Sequence, residues 1–249
     1  MSRFVLELRI SRRRANIVFK AILLDIEGTT TPIDFVHKTL FPFAKKRVAK
    51  FVETHFDALR PEVEQLVDEG ATDDTYTIPV DPLEPGSMSA YLEHLIEQDR
   101  KSTPLKSIQG KIWREGYESG ELRSVVFEDV PRAFSRWQVA GKMIAIFSSG
   151  SVLAQQLLFC HTTHGDLTPF ISNYFDTSTG PKLDAATYAK ISTELALEAS
   201  EILFCSDVLA EVDAARTSGL LTTLVLRPGN PPNSDDVSHR TISSFDELE

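Results

Sequence analysis

After Arg123 the sequence alternates short apolar runs with helix-length segments, and that alternation leaves few folds open to it. "KMIAIF", "EILFCSD" and "LLTTLVLR" are nearly continuous apolar runs, as strands buried on both faces are, and "ISNYFDTS" holds a further strand. Between them, "SSGSVLAQQLLF" reads as a turn into a helix. "DAATYAKISTEL" is a helix with Asp184 as N-cap and Tyr188, Ile191 and Leu195 inward, and "VLAEVDAARTSG" is a helix closed by Gly219. "VPRAFSRWQVAG" supplies one more helix, with Val130, Ala133, Phe134 and Trp137 on one face and Gly141 as its stop. Strands spaced by helices of this length build right-handed βαβ units. The expected fold class is therefore α/β, a doubly wound parallel (Rossmann-like) sheet.

The first strand comes earlier, from Ile17 to Leu24, interrupted only by Lys20 and ended by Asp25. Beyond it the alternation breaks. Pro42 opens a helix with Val48, Phe51, Val52, His55 and Leu59 on one face. A second helix carries Met88, Tyr91, Leu92, Leu95 and Ile96, and a third spans Leu105 to Tyr117. "ATDDTYTIPVDPLEPGS" reads as a polar loop. The resulting organisation is an N-terminal extension over 1–16, a core domain over 17–33 and 123–249, and an inserted helical cap over 34–122. The hinges of such a cap fall near Ile33–Phe35 and Leu122–Val125. "MSRFVLELRISRRRAN" is Arg-rich, but it has few serines and contains Glu7. It reads as a short extension rather than a targeting segment.

In doubly wound sheets ligands sit outside the carboxyl ends of the strands, and here three strands end there on polar side chains. "LLDIE" ends at Asp25 with Glu27 two residues on, "IAIFSS" at Ser148 and Ser149, and "ILFCSD" at Asp207. Lys182 follows the remaining strand through "DTSTGPK". A carboxylate nucleophile, phosphate-binding hydroxyls, a cation and a second carboxylate are the set that phosphoryl transfer from a phosphomonoester needs. The formal charge of −10, from 36 acidic against 26 basic residues, gives no basic face for nucleic acid or an anionic membrane. A site for an anionic substrate must then be built locally. No run approaches the roughly 18 apolar residues of a membrane span. Cys160 and Cys205, both in apolar sequence, read as buried reduced thiols of a cytosolic protein.

The ordered set Asp-x-acid-Gly-Thr, Ser, Lys and acidic strand end resembles the haloacid dehalogenase phosphatase superfamily. Glu27 stands where most of those phosphatases have a second aspartate. With "LLDIEGTTTPI", "FSSGSVLAQQLLF", "LFCSDVLAEVDAA", "LRPGN" and "QGKIWREGYESGEL", the chain resembles the enolase-phosphatases (acireductone synthases) of methionine salvage, from about Ile22 to Leu248. That resemblance implies conversion of 2,3-diketo-5-methylthiopentyl-1-phosphate to the acireductone 1,2-dihydroxy-3-keto-5-methylthiopentene plus phosphate. It implies Asp25 as nucleophile and metal ligand, and Glu27 as general acid and then base, with a metal contact through its backbone carbonyl. It further implies Lys182 neutralising phosphate and nucleophile, Ser148 and Ser149 binding phosphate beside a helix start, and Asp207 completing the site of one Mg²⁺ per subunit. Glu211, one helical turn beyond Asp207, is a further candidate for holding a metal-bound water.

For one of the two serines an N-cap role is an equal alternative. The enolisation base stays open between Glu27 and a cap residue. The expected partners are a small phosphorylated substrate, no nucleic acid and no membrane, in a cytoplasmic monomer, with the nucleus also open in a eukaryote. The alternative within the same fold is a Mg²⁺-dependent phosphatase of another small phosphorylated metabolite; a non-catalytic binding module and a phosphomutase are the others. "HTTHGD", with His161, His164 and Asp166, has a metal-triad look but reads better as a solvated loop. Lys101 and Lys106 read as surface lysines, with a phosphate-facing role as the alternative.

Overall fold

The computed structural model describes residues 19–98, 100, 102–231 and 238–248. The N-terminal extension, the first two residues of the expected strand (17–18) and Lys101 lie outside them. Among the described residues six strands form one parallel sheet: β1 (Ala21–Leu24), β2 (Met143–Phe147), β3 (Asn173–Phe175), β4 (Ile202–Ser206), β5 (Leu221–Val225) and β6 (Arg240–Ile242). Their spatial order is β3-β2-β1-β4-β5-β6, so the winding reverses at β1. β1 is central, with Leu24 level with Ile146 of β2 on one side and Cys205 of β4 on the other. β6 is an addition to the five strands read from sequence. It has three residues, and only Ile242 among them is buried, so it has almost no apolar pattern.

The strand pleat sorts the core into two layers. Ile22 and Leu24 of β1 join the cluster containing Val130, Phe134 and Trp137 of α6 (Asp129–Val139) and Leu157 and Leu158 of α7 (Val152–Cys160). Ala21 and Leu23 face the opposite way. They pack with Tyr188 and Ile191 of α8 (Ala185–Glu194) and Val212 and Ala215 of α9 (Leu209–Thr217). β1 is fully buried on both faces, which explains its unbroken apolar run.

Between β1 and α6 runs a block of helices. Two turns, α1 (Ile33–Phe35) and a π-helical turn at Val36–Leu40, lead into α2 (Phe41–His55). Then come α3 (Arg60–Thr72), α4 (Pro85–Glu97) and α5 (Thr103–Glu118). α3 is absent from the sequence expectation: only Val63 and Leu66 of its apolar residues are buried, so its stripe is short. Leu59 is buried in a 3₁₀ turn, whereas His55 is partly exposed, its Nε2 2.9 Å from Glu115. Cys205 is buried as expected, but Cys160 is partly exposed at the end of α7. Among the described residues no helix is long and apolar enough to cross a membrane.

Candidate active site

The carboxyl edge of β1, where the winding reverses, carries the acid loop "DIEGTTT". It is a tight, self-bonded turn. The Ile26 carbonyl accepts from the amides of Thr29, Thr30 and Thr31, and Gly28 N–H donates to Thr31 O at 2.8 Å. Gly28 has φ +70°, a conformation that a side chain would strain. A Cβ there would also lie 2.3 Å from Asp207 Oδ2, so glycine is what lets the acid loop approach the end of β4. Asp207 N–H donates to Thr29 Oγ1 (3.0 Å) and closes the same gap from the other side.

Asp25 is 4% exposed, and its N–H donates to Cys205 O. Lys182 reaches it from the loop after β3, with Nζ 2.5 Å from Asp25 Oδ1 and 2.7 Å from Glu211 Oε2. Burial alone would lower the lysine pKa, but the two carboxylates prevail and hold it above its usual value. Glu211 also accepts from Ser206 Oγ at 2.9 Å; burial first, and then Asp25's charge, push its pKa up. Asp207 is pushed up to about 7 by burial and by Asp25 in turn. Asp25, Lys182 and Glu211 thus form one contact network, with Asp207 joined through the acid loop.

Glu27 turns toward the helical block. Its Oε1 lies 2.6 Å from His37 Nε2, and the π turn is what carries His37. Burial raises the Glu27 pKa, with His37 opposing. His37 is a residue that sequence spacing does not single out, since one extra residue in a helical turn leaves no apolar signature.

Ser148, at the end of β2, is buried, with its N–H on Phe175 O and its Oγ accepting from Gly150 N–H at 3.3 Å. Ser149 is exposed, and its carbonyl accepts from Lys106 Nζ at 3.2 Å. Neither is the helix cap. Ser151 caps α7 by accepting from Ala154 N–H, which corrects the alternative assigned to the serine pair.

A cavity of about 410 Å³ lies between the acid loop and the helical block. Its polar lining includes Glu27, His37, Lys45, Arg100, Lys106, Gln109 and Ser148–Gly150, and its apolar lining includes Leu40, Phe41, Leu95, Leu105, Trp113 and Leu158. Asp25, Lys182 and Asp207 lie outside its lining, against which Ile26 and Glu27 form the boundary. Among the described residues no three His, Cys, Asp or Glu side chains converge as a metal cage. Mg²⁺ does not require one, because it retains waters and takes one or two carboxylates plus substrate phosphate. The hard oxygens of Asp25 and Asp207, close enough that one raises the other's pKa, are brought together by the close approach that Gly28 permits and fit that ion. The "HTTHGD" residues do not converge: His161 stacks on Tyr117, His164 faces Glu128, and Asp166 accepts from Thr168.

The haloacid dehalogenase-like hydrolase family matches residues 19–219. Enolase-phosphatase E1 of Synechococcus elongatus is 52% identical over 241 residues, covering 91% of this chain and 96% of that protein. Its Drosophila pseudoobscura namesake is 45% identical, with 93% and 95% covered. The crystal structure of the UTR4 protein of Saccharomyces cerevisiae superposes with a TM-score of 0.73 at 35% identity, covering 92% of this chain and all of that one.

Proposed function

We infer the chemistry of this site from the premise that the chain belongs to the haloacid dehalogenase-like hydrolases, and within them to the enolase-phosphatases. Its function is that of an acireductone synthase of methionine salvage. It enolises 2,3-diketo-5-methylthiopentyl-1-phosphate and releases phosphate, leaving 1,2-dihydroxy-3-keto-5-methylthiopentene.

The position of each group supports the following roles. Mg²⁺, one per subunit, would be held by the carboxylates of Asp25 and Asp207 and the backbone carbonyl of Glu27. When bound it stabilises developing negative charge on enolate and phosphoryl oxygens. An Asp25 oxygen attacks phosphorus, and the ester P–O bond breaks with its electron pair going to the enol oxygen. Glu27 gives that oxygen a proton, and water then hydrolyses the aspartyl-phosphate, losing its proton to Glu27. The raised pKa of Glu27 suits the donor half of this cycle. Lys182, buried between Asp25 and Glu211, holds the nucleophile in place and neutralises phosphate charge. Ser148 and Ser149 hold the phosphoryl oxygens, and Glu211 orients Lys182. The helices of 34–122 act as the cap over a core of 17–33 and 123–249, in a cytoplasmic monomer.

The observation that carries the substrate choice is the cavity, in which an apolar stretch of Leu40, Phe41, Leu95, Leu105 and Trp113 adjoins the polar acid loop. A phosphate head with a methylthioalkyl tail matches both sides. A sugar phosphate would leave its hydroxyls unpaired against Leu40, Phe41 and Trp113, a mismatch that selective sites exploit by large factors. The test records enol absorbance and free phosphate together, anaerobically, from a diketoalkyl phosphate with and without chelator. Enol formed with or before phosphate, and only with metal, supports the assignment. Faster release from sugar phosphates, with no enol, refutes it.

A further inference from the structure

The "LRPGN" stretch after β5 has no part in the chemistry above, yet it reaches into the site from two strands beyond β1 in the sheet order. Arg227-Pro228-Gly229-Asn230 forms a tight turn, with Asn230 N–H on Arg227 O at 3.2 Å and Gly229 at φ +90°. Proline second and a positive-φ glycine third are what a type II turn demands. The turn aims both of its long side chains at the acid loop. Arg227 is buried, with Nε on Thr29 O (3.0 Å) and Nη1 on Asp129 Oδ2 (2.8 Å) and Ser243 O (3.0 Å). Asn230 Nδ2 donates both to Gly28 O (2.8 Å) and to Asp207 Oδ2 (3.0 Å).

Both neighbours of that amide nitrogen are acceptors, so they fix which way the amide points. Its two N–H groups join Gly28, whose missing side chain permits the close approach, to the Asp207 carboxylate that approaches it. The other amide atom, Oδ1, is buried with no hydrogen-bond partner among the described residues.

We propose that Asn230 is a positioning residue of the metal site: it fixes the Asp207 carboxylate relative to the acid loop and thereby sets Mg²⁺ affinity. The proposal rests on the assignment of Asp25 and Asp207 as metal ligands. Groups that orient ligating carboxylates typically change metal affinity by about 10–100-fold when removed, and that is the loss expected for Asn230→Ala.

The experiment titrates Mg²⁺ alone into the metal-stripped full chain by calorimetry, for the parent protein, Asn230→Ala, Asn230→Gln and Asp207→Asn. The rise in unfolding midpoint with Mg²⁺ is recorded alongside, so that a less stable variant still reports its affinity by mass action. Expected are a 10–100-fold weaker Kd for Asn230→Ala, partial recovery in Asn230→Gln, and near-parent kcat once Mg²⁺ is saturating. An Asn230→Ala affinity within twofold of the parent overturns the proposal, as does a kcat loss that saturating Mg²⁺ does not restore. Asp207→Asn separates the two levels. If it abolishes Mg²⁺ binding while Asn230→Ala leaves it intact, only the role of Asn230 falls. If it leaves binding unchanged, the ligand assignment itself falls.

Discussion

Replacing Lys182 by methionine keeps most of the side chain's volume and removes the one charge shared by Asp25 and Glu211. In the parent, that ammonium is 11% exposed and sits 2.5 and 2.7 Å from the two carboxylates. Taking one partner from a buried ion pair costs about 3–5 kcal/mol when the remaining charge stays ionised. The carboxylates have an escape, since one of them can take up a proton. Near pH 5 that costs only about 1 kcal/mol, because an unfolded carboxyl titrates near 4. The cost then rises by about 1.4 kcal/mol per pH unit until the full penalty is reached. Linkage fixes the sign. In the variant a carboxyl pKa is raised in the folded state, so its stability is complete below the unfolded pKa and is lost as pH rises through the folded one. In the parent the lysine pKa is raised, so its contribution stays whole from pH 5 to 8 and is lost only at more alkaline pH. Urea unfolding of both proteins in chelator at pH 5, 6, 7 and 8 should show a gap that widens with pH, from about 1 to about 3–5 kcal/mol. A gap independent of pH, or one below 1 kcal/mol throughout, would refute the buried three-group network.

The metal-free protein should lose stability from about pH 4 toward 7, as Asp207, pushed up to about 7, gives up its proton. Mg²⁺ should then bind more tightly at pH 8 than at pH 5 and release a proton on binding, seen by calorimetry in buffers of different ionisation enthalpy; equal affinities at both pH values would contradict this. Gly28→Ala would place a Cβ 2.3 Å from Asp207 Oδ2 in a left-handed backbone, so Mg²⁺ affinity should fall about 10–100-fold, with circular dichroism unchanged. His37→Ala removes the partner that opposes the raised Glu27 pKa. If Glu27 enters the cycle protonated, the alkaline limb of kcat/KM against pH should move upward, and a downward move would exclude it as the acid.

How far the molecule can be read from sequence depends on whether a feature is local. β1, β2 and β4 announce themselves because two-sided burial forces unbroken apolar runs, and their polar ends mark Asp25, Ser148 and Asp207. α8 announces itself through Asp184, whose carboxylate accepts from Ala186 N–H. β6 is silent, because an edge strand with a single buried side chain needs no pattern. Ser151 rather than Ser149 caps α7 because the chain runs two residues farther before turning, a matter of ψ angles that three serines and a glycine do not disclose. His37 and Asn230 reach Glu27 and Asp207 from 10 and 23 residues away along the chain, and no local pattern ties either pair.

The two ends of the helical block meet. Phe127 N–H donates to Thr30 O at 3.0 Å, so the chain that leaves the sheet after the acid loop comes back beside its own point of departure. Everything from 31 to 126 is then an excursion pinned at its base, and the entropy of closing such a loop grows only logarithmically, about 0.6 kcal/mol for each doubling of its length. An insertion or deletion of a helical turn within the excursion alters that closure by far less than this. The sheet is in this respect indifferent to how long the excursion is, and the cavity's apolar side can be rebuilt for another substrate tail while the acid loop keeps its anchor.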